Sequence, residues 1–230
     1  MKRLWRSTAT DAAAVLLCGA ILLTTAAGVA ERRQTAATLS PYILIDAGHG
    51  GEDGGAVAAD GTLEKDLNLA VAMPLRDLLS VMGFSVAMTR ETDVMLDTEG
   101  ATLRQRKVAD MNQRLSMVQS AQLTVSLHQN KFSQAKYSGT QVFYSQNHPQ
   151  SREVAESVRE SVVSLLQPQN TRPLKAGDST VFLLHRATMP IVLVECGFLS
   201  NETEREKLKT PAYQRQLAFA VAGGVMKGLT

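Results

Sequence analysis

Three side chains able to bind a metal ion or transfer a proton stand where short apolar runs of this sequence end. His49 lies in a glycine-rich loop after the first run, His128 closes a second run, and Glu195 ends the most apolar one. Open α/β sheets place their ligand crevices at the carboxyl ends of their strands. If these runs are parallel strands, the three side chains emerge at one edge of the sheet, where the histidines can share a single ion.

The two histidines are typical ligands of a catalytic zinc ion. Such sites commonly combine two neutral imidazoles, a carboxylate and an open position for water. Glu64 is the natural third ligand, because it lies in the first turn of the helix predicted after the glycine loop. The helix dipole alone also favours a carboxylate there, by about 0.3–1 kcal/mol, so both interpretations stay open. The competing carboxylates are Asp53, Asp60 and Asp66.

Each histidine also has a plainer interpretation. His49 can be a turn residue that faces solvent, and His128 can be a strand-end residue whose hydrogen bonds are satisfied locally. His148 and His185 have neither glycine framing nor an evident partner. We therefore leave these two histidines out of the predicted site.

Glu195 is the strongest single signal, because it follows the apolar run Ile191–Val194 and should be largely desolvated. A buried carboxylate is paired, protonated or beside a metal. Desolvation raises the pKa of a carboxyl group toward the range that suits general acid and base catalysis. The alternative is a buried ion pair with Arg186 or another arginine.

The order of apolar runs indicates the elements that must hold these side chains. Short β-branched runs alternate with longer segments of helical period, which predicts a single α/β domain with a largely parallel sheet. The predicted strands are 42–46, 84–89, 123–128, 140–145, 181–184 and 191–195. The predicted helices are 63–82, 103–120, 152–166, 202–208 and 211–227. Pro74 predicts a kink or a break in the first helix.

The amino-terminal segment predicts export from the cytoplasm. Lys2, Arg3 and Arg6 precede a mostly apolar stretch from Ala12 to Ala30. This pattern is typical of a membrane anchor or a cleavable signal, and small residues at positions 28 and 30 would suit cleavage. We therefore expect residues 1–36 to be a signal or membrane anchor with a tether. Residues 40–230 are expected to form an extracytoplasmic catalytic domain, either membrane-anchored or secreted to the cell envelope.

Charge and cysteine content exclude some classes of protein. The formal net charge is +2 and the basic residues lie among acidic ones, so we expect no nucleic-acid partner. Cys18 lies in the apolar stretch and Cys196 in the predicted domain, which makes a disulfide between them implausible. Leu17 before Cys18 disfavours lipid attachment.

Four separated blocks of sequence resemble the zinc-dependent N-acetylmuramoyl-L-alanine amidases of the Amidase_3 family. The blocks are 45–51, 63–66, 126–130 and 193–201, and the likeness extends from about Pro41 to the end of the chain. The resemblance implies a mixed six-stranded sheet flanked by helices. It also implies that His49, Glu64 and His128 bind zinc and that Glu195 is the catalytic carboxylate. The implied reaction is hydrolysis, by a zinc-activated water, of the amide between N-acetylmuramic acid and L-alanine in peptidoglycan.

Within that family the chain resembles the short, membrane-anchored amidases that act in the spore cortex, where muramic acid becomes a lactam. The likeness rests on size, on the single anchor and on segments 104–108 and 139–145. Lys131 and Phe132 depart from the pattern, because relatives often carry alanine after the asparagine. This difference bears on substrate contacts rather than on the metal.

The span from His128 to Glu195 is too short for the inhibitory helical insertion of some relatives. We therefore expect activity to depend on location or on an extracytoplasmic activator protein. Two other functions stay open. One is a zinc peptidase that trims stem peptides, and the other is a catalytically silent wall-binding module.

Overall fold

The computed structural model describes residues 42–229. The strands are β1 (Tyr42–Ala47), β2 (Ser85–Met88), β3 (Leu123–Asn130), β4 (Gln141–Tyr144), β5 (Lys175–Ala176) and β6 (Ile191–Phe198). The helices are α1 (Glu64–Val81), α2 (Leu103–Ser120), α3 (Pro149–Leu165), α4 (Phe182–Arg186), α5 (Glu202–Leu208) and α6 (Pro211–Leu229). The predicted signal or anchor at 1–36 lies outside the described residues. No helix within 42–229 has the length and apolar character to span a membrane.

The six strands form one mixed sheet in the order β2-β1-β3-β6-β4-β5. Strands β2, β1, β3 and β6 are parallel neighbours, β4 runs antiparallel to β6, and β5 pairs in parallel with β4. This sheet confirms the fold class that the family resemblance implied. Because β1, β3 and β6 are adjacent and parallel, their carboxyl ends meet at one edge.

Helices cover both faces of the sheet. Successive strand residues point to opposite faces. Ile43 and Ile45 accordingly belong to the larger apolar core, with buried residues of α1, α3 and α6. Leu44 belongs to a smaller core with buried residues of α2 and α4. The strands that carry the predicted site therefore pack against helices on both faces.

The structure differs from the predicted elements at three points. The run 181–184, predicted as a strand, lies mostly in helix α4, where Leu183 and Leu184 pack into the smaller core. A four-residue apolar run is too short for its period to be read. The sheet still has six strands because of β5, which was not predicted. Its two residues are exposed and show no apolar pattern. Helix α1 continues through Pro74 without a break, with fully buried Val71 and Leu75 on either side of the proline. A kink at Pro74 stays a prediction.

Candidate active site

A glycine-built loop turns the chain after β1 and presents His49 at the sheet edge. His49 has a φ of 62°, a left-handed conformation that costs a non-glycine residue on the order of 1–3 kcal/mol. Gly48 lies directly against His128, because a Cβ atom at Gly48 would stand 2.3 Å from the His128 ring. A residue without a side chain is therefore required where the two histidine-bearing segments approach.

Two buried arginines hold this loop in place. The Nη2 group of Arg114 donates a hydrogen bond to the carbonyl oxygen of His49 at 2.7 Å. The Nη2 group of Arg90 donates to the carbonyl oxygens of Gly48 at 3.1 Å and Lys65 at 2.7 Å. Arg90 thus ties the loop to the first turn of α1. Because both guanidinium groups are buried, these bonds offset part of the backbone strain at His49.

His49, Glu64 and His128 converge at the end of the sheet. One potential ligand atom from each lies within 4.8 Å of the other two. Oε1 of Glu64 lies 3.3 Å from Nε2 of His49 and 2.9 Å from Nδ1 of His128. The two imidazole rings meet edge to face, with centroids 5.0 Å apart. Two imidazoles and a carboxylate at this spacing could hold a metal ion.

The Glu64 carboxylate is fixed by its surroundings. It is buried and accepts hydrogen bonds from the backbone amides of Ala56 at 2.8 Å and Gln129 at 3.1 Å. Burial raises the pKa of Glu64, but hydrogen bonds from His128 and His49 outweigh this effect and hold the pKa well below its usual range. Glu64 is therefore ionised at neutral pH, and its contacts go well beyond those expected of a carboxylate that only stabilises a helix end.

Asp53 orients His49 rather than joining the cluster. Its Oδ2 lies 2.7 Å from Nδ1 of His49, and its Oδ1 accepts a bond from Lys107 at 2.8 Å. In the absence of a cation, burial lowers the pKa of His49, but hydrogen bonds with Asp53 and Glu64 raise it to about 9. Nδ1 is thus committed to Asp53, and Nε2 is the nitrogen directed toward Glu64. The sequence marked Asp53 only as a competing ligand.

Glu195 lies beside His128 on the adjacent parallel strand, and the two residues are register partners. Its Oε2 atom is buried and has no hydrogen-bond partner among residues 42–229. Within that range Glu195 also forms no ion pair, with Arg186 or any other residue, so the alternative of a buried ion pair is absent. Burial raises the pKa of Glu195 to about 7. In the absence of a cation, the side chain therefore titrates near neutral pH.

His49, His128 and Glu195 line one cleft of about 290 Å³, whose opposite wall comes from α2 and the segment that leads into α4. Glu64 does not line this cleft. The cleft thus offers a reacting group access to the cluster and to the unpaired carboxylate together.

The other candidates lie elsewhere. His148 caps α3 by accepting a hydrogen bond from the amide of Gln150, and His185 is in the last turn of α4. Asp60 pairs with Arg205 and Lys209, and Asp66 is exposed. Cys196 is buried and free, and burial raises the pKa of its thiol.

Sequence reasoning missed a buried polar network beneath the loop. Asp46 accepts hydrogen bonds from Arg114 at 2.6 Å, Ser126 at 2.6 Å and Thr89 at 3.0 Å. Arg114 also bonds Asp110 at 2.7 Å, one helical turn before it. The Asp–Arg pair at a four-residue interval in α2 was the one visible signal of this network.

Residues 43–227 match the family described as N-acetylmuramoyl-L-alanine amidase. The chain belongs to this family. It is therefore a hydrolase, and the bond it cleaves is the amide between N-acetylmuramic acid and L-alanine. Family membership confirms the activity that the four sequence blocks predicted.

Similar proteins include several amidases. The germination-specific N-acetylmuramoyl-L-alanine amidase of Bacillus subtilis strain 168 is 37% identical over 191 residues, which are 82% of this chain and 79% of the relative. Protein YqiI of the same strain is 35% identical over 228 residues, 98% of this chain and 97% of the relative. The CwlD amidase of Clostridioides difficile, solved in complex with the GerS lipoprotein, matches with a TM-score of 0.79 and 38% identity. That match covers 83% of this chain and 98% of the solved one.

Proposed function

We propose that His49, Glu64 and His128 bind a zinc ion and that Glu195 transfers the proton when the amidase hydrolyses its substrate. The observation that carries this proposal is the convergence of the three ligand atoms within 4.8 Å. Beside them lies a carboxylate whose buried oxygen has no hydrogen-bond partner within residues 42–229. The bond that breaks joins the lactyl carbonyl carbon of N-acetylmuramic acid to the nitrogen of L-alanine.

The donor set favours zinc over the harder cations. Zinc prefers imidazole nitrogen with a single carboxylate, whereas calcium and magnesium prefer oxygen donors. The contact between His49 Nδ1 and Asp53 supports the assignment, because metal-binding histidines usually give their other nitrogen to a carboxylate. Zinc bound in such a site polarises a carbonyl group and lowers the pKa of water.

Glu195 then acts as base and acid in turn. Its ionised form takes a proton from the attacking water as the new carbon–oxygen bond forms. It returns that proton to the L-alanine nitrogen as the carbon–nitrogen bond breaks, which leaves a lactyl carboxylate and a free amino terminus. Burial raises the pKa of Glu195 in the zinc-free protein, and a carboxyl group whose pKa lies closer to neutral pH than usual gives and takes a proton more readily there.

The biological setting that we propose is the spore cortex. The germination-specific relative supports this role. The residues 1–36, as a signal or membrane anchor, would place the domain outside the cytoplasm, between the membranes that surround the forespore or in the envelope. An extracytoplasmic activator is supported by the lipoprotein found with the C. difficile amidase.

Product analysis tests the reaction. Purified domain is incubated with peptidoglycan, and the soluble products are identified by mass spectrometry. Intact stem peptides that begin with L-alanine, released from muramic acid, are the expected result. Shortened peptides that leave L-alanine on muramic acid would support a zinc peptidase, and a zinc-loaded protein that releases nothing would support a silent wall-binding module. The proposed setting is tested by digesting cortex peptidoglycan and vegetative peptidoglycan in parallel. Each is treated once with the purified domain and once with the anchored full-length protein.

A further inference from the structure

An open groove runs along α2 beside the catalytic cleft. Its volume is about 540 Å³, which is within the range of pockets that hold small ligands. Its walls combine apolar side chains with two cations, and the residues that matter here are Leu103, Arg104, Lys107, Val108, Met111 and Phe182. Arg104, Val108 and Met111 recur at helical spacing, so they form one stripe on α2.

The groove adjoins the cleft that holds His49, His128 and Glu195. Lys107, Met111 and Phe182 line both spaces. A ligand whose reacting bond lies beside Glu195 can therefore extend over Met111 into the groove without leaving the protein surface. The groove has the position expected of a subsite for one arm of the substrate.

The groove also presents apolar surface and an uncommitted positive charge. Val108 is 56% exposed and Leu103 is 41% exposed, although both are apolar. Lys107 is committed to Asp53. Arg104 is exposed and pairs with no acidic residue in the part of the chain that the structure describes. The groove therefore offers one arginine that is free to bind an anion.

We propose that this groove binds the stem peptide of the substrate, with Arg104 contacting a peptide carboxylate and Leu103 and Val108 contacting its aliphatic groups. This inference rests on the proposed function. A stem peptide carries methyl and methylene groups together with carboxylates, which match an apolar wall and a guanidinium. A glycan strand presents hydroxyl groups that need many polar partners, and the groove wall is largely apolar.

The test uses two soluble muropeptides that differ only at the glutamate residue of the stem peptide. One has the free carboxylate of this glutamate, and in the other that carboxylate is amidated. Wild type is expected to show a KM about tenfold lower for the free carboxylate, as one charge-assisted hydrogen bond implies. Arg104→Gln should lose this preference by raising the KM for the free form, with kcat unchanged. Arg104→Lys should restore part of it. Arg152→Gln is the matched control, because Arg152 is an exposed arginine on α3, across the sheet.

A binding measurement separates the groove from the chemistry. Free stem peptide is titrated into Glu195→Gln and into the double variant with Arg104→Gln, and calorimetry should show about tenfold weaker binding to the double variant. Val108→Asp provides a second variant, since a negative charge in the groove should weaken binding of the same peptide. The inference would be overturned if Arg104→Gln and Val108→Asp left both peptide binding and the carboxylate preference unchanged. It would also be overturned if the groove bound peptide-free glycan more tightly than stem peptide, through Arg104. If wild type released no stem peptide, the proposed function itself would fail.

Discussion

Nδ1 of His128 lies 2.9 Å from Oε1 of Glu64, although 64 positions separate the two residues in the sequence. The contact joins the end of β3 to the first turn of α1. Since the same oxygen also approaches His49, Glu64 is the common neighbour of both histidines. The geometry of the site therefore depends on the distances between three segments: the loop after β1, the first turn of α1 and the end of β3.

Gly48→Ala is expected to weaken zinc binding by about 10–100-fold, as changes around metal ligands commonly do. A methyl group at Gly48 would stand 2.3 Å from the His128 ring, so the ring must move. Competition with a zinc chelator measures the affinity. Gly54→Ala is the matched control, because its methyl group would lie 3.5 Å from Leu63, an ordinary contact. Equal affinities for the two variants would refute the close approach.

Asp53→Ala is expected to lower zinc affinity by a similar factor, about 10–100-fold, because His49 loses the partner that orients its ring. Turnover at saturating zinc should fall less than the affinity. Asp66→Ala, which removes an exposed carboxylate close to Glu64 in the sequence, should bind zinc as wild type does. A loss of affinity in both variants would point to overall charge instead of orientation.

Arg114→Met is expected to destabilise the domain by about 3–5 kcal/mol, because it leaves the buried carboxylates of Asp46 and Asp110 unpaired. Urea unfolding measures the change in the free energy of unfolding. Arg152→Met, at an exposed position on α3, should stay within about 0.5 kcal/mol of wild type. If both substitutions changed the free energy of unfolding by the same small amount, Arg114 would not stabilise the domain through Asp46 and Asp110.

Glu195→Gln is expected to stabilise the zinc-free protein at alkaline pH. Burial raises the pKa of Glu195 from 4.5 to about 7, so the folded state holds this proton more tightly than the unfolded state. The contribution of Glu195 to wild-type stability should therefore fall as pH rises from 4.5 toward 7 and stay reduced above it. The variant should gain up to about 3 kcal/mol at alkaline pH and little at acidic pH. Urea unfolding in chelator at both extremes measures this, and a gain independent of pH would contradict it.

Much of the site was predictable from local sequence, because strand ends and helix starts are local features. His128 and Glu195 each close an apolar run, and the sheet topology then brings them side by side. The roles of Asp53 and Arg114 were not predictable, because they depend on tertiary contacts. Arg114 bonds Asp46 across 68 positions, and no periodicity encodes that pairing.

The strands of the sheet also separate into those that local sequence predicts and one that it does not. Parallel pairing of β1, β3 and β6 follows from alternating apolar runs and helical segments. Strand β5 has two residues and joins the sheet edge through backbone bonds, so no side-chain pattern marks it.

Zinc content per chain tests the central claim most directly. It is measured by elemental mass spectrometry on wild type, on the single alanine variants of His49, Glu64 and His128, and on Glu195→Gln. We expect one zinc per chain in wild type and in Glu195→Gln, and almost none in the three alanine variants. Full zinc in the His128→Ala variant, or loss of zinc in Glu195→Gln, would contradict the account.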